Sequence, residues 1–375
     1  MGRPRSSRRH HGLALALLLL VACAAPAAPA ASPPSLSPAP AGAGSAPPAS
    51  STPASAAQPP REVVRVGVLH SISDAPLIAG REHGYYSEEG LDLEFYPFDS
   101  AQQMIPALGT GQLDAGGGAP GPGLINAYLR GVQLRVVADR AQATPGTRGN
   151  CLAIRKELLD SGAVQRFADL RGRVFAENVP GNLLTYVLEQ ELRKAGVSPE
   201  EVTYTTVPFP DMVPGFANGV IDAALLSEPQ ITLGESRGAF GCWRYTSDLA
   251  PGFQIGVFLY GPSFIGEHPE LGRRFMVGYV RGMRDYYRAF LGDGAGRAEM
   301  VTLLTQNTAI KDPALLERMA PNGFDPDARV NAQSLQDTQR WYLERGAIPT
   351  EVDINELVDQ QFVDYALTRL GRYPR

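Results

Sequence analysis

Pro106-Ala-Leu-Gly-Thr-Gly111-Gln-Leu113-Asp114-Ala115, running on to Ala119-Pro120, is echoed by Pro214-Gly-Phe-Ala-Asn-Gly219-Val-Ile221-Asp222-Ala223, running on to Glu228-Pro229. Proline, glycine, an aliphatic residue, aspartate and alanine recur at the same offsets. Each stretch reads as a helix, a glycine stop and a strand that ends in a proline-bearing loop. One such unit is ordinary, but two of them in one chain predict two similar α/β lobes.

The flanking sequence continues the alternation. Val63–Leu69 is a β-branched run that predicts a strand buried on both faces. Ala75–Glu82 follows as a helix with Asp74 as its N-cap and Pro76 in its first turn. Leu91–Tyr96 predicts a strand, and Asp99-Ser100 caps a helix over Ala101–Leu108. A third strand starts at Leu113–Ala115, and Gly116 to Pro120 then lead as a loop into a helix over Leu124–Leu129. Gln133–Ala138 is the fourth strand. The middle of the chain repeats the pattern with strands at Cys151–Ile154, Arg173–Ala176, Val202–Val207 and Ile221–Leu226. Helices at Asn182–Ala195 and Met212–Ala217 lie between them. After a strand at Gln254–Tyr260 the chain reads as helical: Pro269–Leu291, Ala298–Gln306, Pro313–Arg318, Ala332–Glu344 and Ile354–Leu370. Strand and helix alternating at this spacing give parallel-rich sheets covered on both faces, hence an α/β class with a helical C-terminal tail.

The first 60 residues differ from the rest. Arg3, Arg5, Arg8 and Arg9 precede an unbroken apolar run, Leu13–Ala22, which is too short for a stable membrane span. A basic region, an apolar core and small residues at a cut describe a secretory signal over residues 1–22. Leu20-Val21-Ala22-Cys23 resembles a bacterial lipobox, which implies that Cys23 is lipidated and becomes the new N-terminus. Ala24 to Pro60 carries eleven prolines and no charge, so residues 23–61 are expected to be a disordered tether. Anchor, tether and body together place the protein extracytoplasmically, on the outer face of a bacterial cell membrane. Cutting before Cys23 removes four arginines and takes the net charge from −5 to −9. An acidic chain argues against nucleic acid as partner. The 315 residues after Pro60 suffice for one large or two medium α/β domains.

Cys151 and Cys242 are the only other cysteines. They are either a disulfide or two buried thiols, and an oxidising compartment favours the bond. No Cys-x-x-Cys or His-x-x-x-His spacing points to a metal, and no cofactor is implied.

Three stretches carry a family resemblance. Asp74-Ala-Pro-Leu-Ile-Ala-Gly-Arg-Glu-His-Gly84-Tyr-Tyr-Ser-Glu-Glu-Gly90-Leu-Asp-Leu-Glu is similar to the opening signature of solute-binding proteins related to the alkanesulfonate, nitrate and thiamine-pyrimidine receptors of ABC importers. Gly111 to Pro120 and Asp222-Ala-Ala-Leu-Leu-Ser-Glu-Pro229 resemble the next two signatures. The similarity spans roughly residues 63–290. It implies a two-lobed type II periplasmic-binding fold with two crossing strands, Gly149–Ile154 out and Ile255–Tyr260 back. Lobe one is then residues 62–148 plus 256–375, and lobe two is residues 149–255. The resemblance also implies a monomer that hands a small solute to an ABC permease and its ATPase.

On that fold, strand C-termini and helix N-termini line a cleft between the lobes. Lobe one offers Ser71, Ile72, Ser73, Asp74, Asp99, Ser100, Gly118, Ala119 and Pro120. Lobe two offers Asn178, Pro180, Gly181, Asn182, Glu228 and Pro229. Asp74, Asp99, Glu177 and Glu228 make this lining acidic, which tilts the expected ligand from a sulfonate toward a neutral or amine-bearing organic solute. Two other readings share the scaffold. One is a ligand-sensing lipoprotein uncoupled from transport. The other is a pyrimidine-forming or desulfinase-type enzyme, which the absence of a cysteine-rich motif and of a well-placed nucleophilic cysteine disfavours, so no enzyme is expected.

Overall fold

The computed structural model describes residues 61–374, so the secretory signal, Cys23 and the tether lie outside the described residues. The chain first builds β1 (Glu62–Val68), α1 (Ala75–Glu82), α2 (Tyr85–Glu88), β2 (Leu91–Pro97) and α3 (Ala101–Gly109). It adds β3 (Ala115–Gly118), α4 (Pro122–Leu129) and β4 (Arg135–Gln142), then crosses to a second sheet. There it forms β5 (Asn150–Arg155), α5 (Lys156–Asp160), β6 (Val174–Glu177), α6 (Leu183–Lys194), β7 (Thr203–Thr206) and α7 (Phe209–Ala217). β8 (Ala223–Ser227), α8 (Gln230–Ser236), β9 (Phe240–Tyr245) and α9 (Thr246–Leu249) complete that half. β10 (Gln254–Tyr260) returns to the first sheet. The tail is α10 (Pro269–Phe290), α11 (Arg297–Asn307), α12 (Pro313–Arg318), α13 (Ala332–Glu344), α14 (Ile354–Leu357) and α15 (Gln361–Leu370).

The two sheets have the same plan. The first runs β2-β1-β3-β10-β4 and the second β7-β6-β8-β5-β9. In each, three parallel strands are followed by two antiparallel pairings, β3·β10·β4 in one and β8·β5·β9 in the other. The repeated sequence is therefore a repeated structure. Gly111 and Gly219 end α3 and α7 at φ 71° and 72°, where a side chain would strain the turn. Leu113 N–H returns to Ala107 O at 3.0 Å, and Ile221 N–H to Gly215 O at 3.2 Å.

The aspartates follow. Asp114 N–H donates to Arg65 O at 2.9 Å, while Asp114 Oδ2 accepts Arg65 N–H at 2.8 Å. Asp222 makes the same reciprocal pair with Val174, at 2.9 and 3.0 Å. An arginine closes each aspartate, Arg65 on Asp114 and Arg155 on Asp222, both at 2.8 Å.

Several elements depart from the sequence expectation. The glycine run is not a loop: Gly116 to Gly118 are strand β3, paired against β10. A Cβ on Gly117 would lie 2.4 Å from Val257 O and 2.9 Å from Arg140 Cδ, so only glycine lets β10 and Arg140 come this close. β4 continues through Asp139 and Arg140 to Gln142. Phe240–Tyr245 is an edge strand that its irregular pattern does not announce. The last predicted helix is broken, because Val358 bridges to Val136 of β4 and Asp359 N–H donates to Val136 O at 2.8 Å.

The two crossings bind each other. Ala143 N–H donates to Phe253 O and Gly252 N–H to Ala143 O, both at 2.9 Å. Below them Gln254 Nε2 donates to the buried Asp139 at 2.7 Å, and Asp325 N–H donates to its other oxygen at 2.8 Å. Tail helix α13 spans the halves: Trp341 Nε1 donates at 2.8 Å to Glu189 of α6, which is fully buried, and Arg345 pairs with the same carboxylate. Cys151 and Cys242, on neighbouring strands β5 and β9, are joined in a disulfide with Cα atoms 5.7 Å apart.

Because each staple satisfies a backbone donor and an arginine, Asp114→Ala and Asp222→Ala should each cost about 1–3 kcal/mol. Asp92→Ala, which removes only the exposed pair with Arg61, should cost less than about 1 kcal/mol. Urea unfolding measures this, and equal losses for all three would remove the staples from the account.

Candidate functional site

The turn between β1 and α1 is fastened from beneath. Asp74 precedes α1, yet its side chain does not cap that helix. Oδ2 instead accepts the N–H groups of Leu69 and Ser71 at 3.0 and 3.1 Å, and Oδ1 accepts Arg140 Nη2 at 2.6 Å. The side chains of Asp74 and Arg140 are 1% and 4% exposed, a depth at which charges persist only as a bonded pair. Asp74 therefore shapes the turn from below rather than lining it. What the turn presents is Ser71, Ile72 and Ser73, with the two hydroxyls 2.9 Å apart. His70 enters the turn at φ 49°, and its carbonyl accepts Ala309 N–H at 2.8 Å.

Glu228 answers from the other sheet, immediately after β8. Its N–H donates to Gly149 O on the outgoing crossing at 3.1 Å. Its carboxylate accepts Thr232 N–H at 3.0 Å, Thr232 Oγ1 at 2.9 Å and Ala320 N–H at 3.0 Å. Burial pushes this carboxyl above its ordinary range, and the backbone bonds from Ala320 and Thr232 pull it back. Ala320 belongs to the turn after α12, in the tail. Ala320 and Ile72 share the wall of a small apolar hollow with Tyr286, Leu316 and Met319. Ala320 thus lines one hollow with Ile72 of the β1 turn and donates its N–H to Glu228 after β8. Pro229 follows Glu228 in a cis peptide and opens α8, and Asn150 Nδ2 donates to Ser227 Oγ beside it at 2.5 Å.

Other expected residues lie apart. Gly118 is buried in β3. Pro120 packs with Leu124, Val136, Leu335 and Tyr342 under α13, while Ala119 is exposed. Neither Asp99 nor Ser100 makes a side-chain cap: Asp99 N–H donates to Gln103, and Ser100 precedes α3 without a capping bond. The turn after β6 is braced within itself. Buried Glu177 accepts Gly181 N–H at 3.1 Å and Thr185 Oγ1 at 2.9 Å. Asn182 caps α6 through Leu184 N–H at 2.8 Å and donates to Asn178, while Pro180 is exposed.

Three of the four acids of the expected acidic lining are taken up by partners, while Asp99 stays exposed on the β2–α3 turn. Asp74 is neutralised by Arg140, Glu177 is spent on its own turn, and Glu228 is held by three donors. Sequence reading missed Arg140 and Ala320. A charged pair, Asp139-Arg140, at the end of an apolar strand was the available signal, since such charges are expensive to bury without partners. Nothing local marks Ala320, which acts through its backbone.

Comparison with known proteins agrees with this architecture. The family model described as NMT1/THI5 like matches residues 72–289. A Brucella abortus protein named only as a binding protein is 26% identical over 265 residues, 69% of this chain and 76% of that one. A Bacillus subtilis protein named for binding aliphatic sulfonates is 22% identical over 311 residues, 81% of this chain and 88% of that one. The periplasmic nitrate-binding protein NrtA of Synechocystis PCC 6803 superposes with a TM-score of 0.65 at 15% identity, covering 83% of this chain and 89% of that one.

Removing only Arg140 leaves Asp74 charged in the interior. Arg140→Met should cost about 3–5 kcal/mol, and adding Asp74→Asn should recover part of it. Chemical unfolding of both variants tests the pair, and additive losses would show that the two residues do not act together.

Proposed function

The chain belongs to the NMT1/THI5-like family, and from that premise we propose that it is an extracytoplasmic, membrane-anchored receptor. It captures a small organic or anionic solute between its lobes and delivers it to an ABC importer. The observation that carries this reading is Ala320, which lines a hollow with Ile72 of the β1 turn and donates its N–H to Glu228 after β8, so that turns from both sheets meet the tail at one place. A solute held there touches both lobes, so it binds the closed form better than the open one and shifts the population toward closure. The closed form is what a permease recognises. Ser71, Ile72 and Ser73 supply hydroxyl and apolar contact from one side, and Glu228 with its neighbours supplies the other.

The lobe limits we adopt are residues 62–148 plus 256–375 and residues 149–255, in keeping with sheet membership. Lipidation at Cys23 and a tether over residues 23–61 would hold this body off the membrane while leaving it free to reach a permease. In this reading the protein is a receptor rather than an enzyme, and a desulfinase-type alternative has no cysteine nucleophile in Cys151 or Cys242, which are bonded to each other.

A thermal-shift panel of sulfonates, nitrate, bicarbonate, pyrimidines, amines and amino acids should give at least one stabilising solute. At about a hundred times its Kd the gain is about 2.7 kcal/mol, a shift of a few degrees. Ser71→Ala with Ser73→Ala, and separately Glu228→Gln, should each weaken calorimetric binding at least about tenfold, or 1.4 kcal/mol. Affinity unchanged in both variants, with folding intact, would remove the solute from this cleft.

A further inference from the structure

The tail meets the second half of the molecule at two places, and the two contacts are built differently. At the first, α13 meets α6 through Glu189, which is fully buried. Its carboxylate accepts Trp341 Nε1–H at 2.8 Å and pairs with Arg345, whose guanidinium lies 4.9 Å from the centre of the Trp341 ring. Beside it Tyr186 of α6 packs edge-on against Trp341 and stacks on Phe253 of the return crossing, with ring centres 5.8 and 5.6 Å apart. Helix α13 is itself fixed to the first half. Ser334 Oγ accepts Gln254 N–H at 2.9 Å, and Asn126 Nδ2 donates to Ala347 O, just beyond the helix, at 3.1 Å. At the second place a single backbone group makes the contact: Ala320 N–H donates to Glu228 at 3.0 Å.

We propose that the two halves turn about the α6–α13 contact at Glu189, and that the Ala320–Glu228 bond is a latch that parts as they turn. The two contacts differ in what parting would leave behind. At Glu189 it would leave a buried carboxylate with only Arg193, 3.7 Å away, and an isolated charge at that depth is strongly unfavourable. At the latch, Glu228 keeps Thr232 N–H and Oγ1 from its own half, and half-buried Ala320 can turn its N–H to water, so neither group is stranded. The contacts also stand on opposite faces of the second sheet. Helix α6 packs with Leu152 and Ile154 of β5, whereas α8, into which Glu228 leads, packs with Cys151 and Ala153. The stacking of Tyr186 on Phe253 puts the pivot against the crossing itself, where the halves are covalently joined. In the capture reading, on which this device rests, Glu228 is also a solute contact, so solute and latch compete for one carboxylate.

The test needs no solute. In the full chain with Cys23→Ser, introduced cysteines take spin labels while Cys151 and Cys242 stay bonded to each other. One pair, Lys194→Cys with Arg340→Cys, reads α6 against α13. A second pair, Arg237→Cys with Glu317→Cys, reads the end of α8 against α12, and all four residues are exposed. Ala320→Pro removes the donor N–H, and Glu228→Gln removes the charge that draws it, so a folding failure in one variant leaves the other. Each should broaden or lengthen the electron–electron distance distribution of the second pair and leave the first unchanged. Glu189→Gln should move the first pair. A second pair unmoved in both latch variants, a first pair that moves as far as the second, or a first pair indifferent to Glu189→Gln overturns the pivot. A solute panel with no stabilising compound counts against capture alone, so failure of that reading and failure of this one are distinguishable.

Discussion

An aspartate at the entrance to one strand, clasping the backbone of its parallel neighbour, sets the orientation of everything else. Asp114 clasps Arg65 and Asp222 clasps Val174, through reciprocal bonds of the same pattern. The clasp fixes β3 parallel to β1 and β8 parallel to β6, so the turns that follow these strands emerge at the same edge of their sheets. A clasp that satisfies both backbone and arginine has little freedom to slip register, since a slip would strand a buried carboxylate.

Between the halves the chain is economical. Two crossings, hydrogen-bonded to each other at Ala143, Gly252 and Phe253, carry the connection. The tail reinforces it from two directions. Ala320 reaches Glu228 after β8, while Trp341 and Arg345 hold Glu189 on α6. The tail thus ties the position of α6 and α8 to the first half, entering the first sheet only through the bridge of Val358 to Val136. In the proposed capture, closure is a matter of how these few contacts give, because the sheets themselves are stapled and the disulfide holds β5 to β9.

Much of this was legible in the sequence. The echo between residues 106–120 and 214–229 foretold the duplicated unit, and strand Gln254–Tyr260 and helices Pro313–Arg318 and Ala332–Glu344 stand at their expected bounds. What escaped depended on distant partners. Gly116 to Gly118 look like a loop because glycine is poor in strands, and only the approach of Val257 and Arg140 makes it necessary there. The break at Val358 comes from β4, more than two hundred residues away in sequence. At the site, residue types were readable but their roles were not. Asp74, Glu177 and Glu228 look like free acids in a list, and become an internal ion pair, a turn brace and a bridge once their partners are in place.

The central claim is that a solute draws two stapled lobes together. Asp99 and Val179 are exposed, on the β2–α3 and β6–α6 turns of opposite lobes, and both can carry spin labels after substitution by cysteine. Electron–electron distance measurements with and without the stabilising solute test closure directly. The account predicts a shorter, narrower distance distribution when solute is bound. An unchanged distribution at saturating solute would contradict capture by closure.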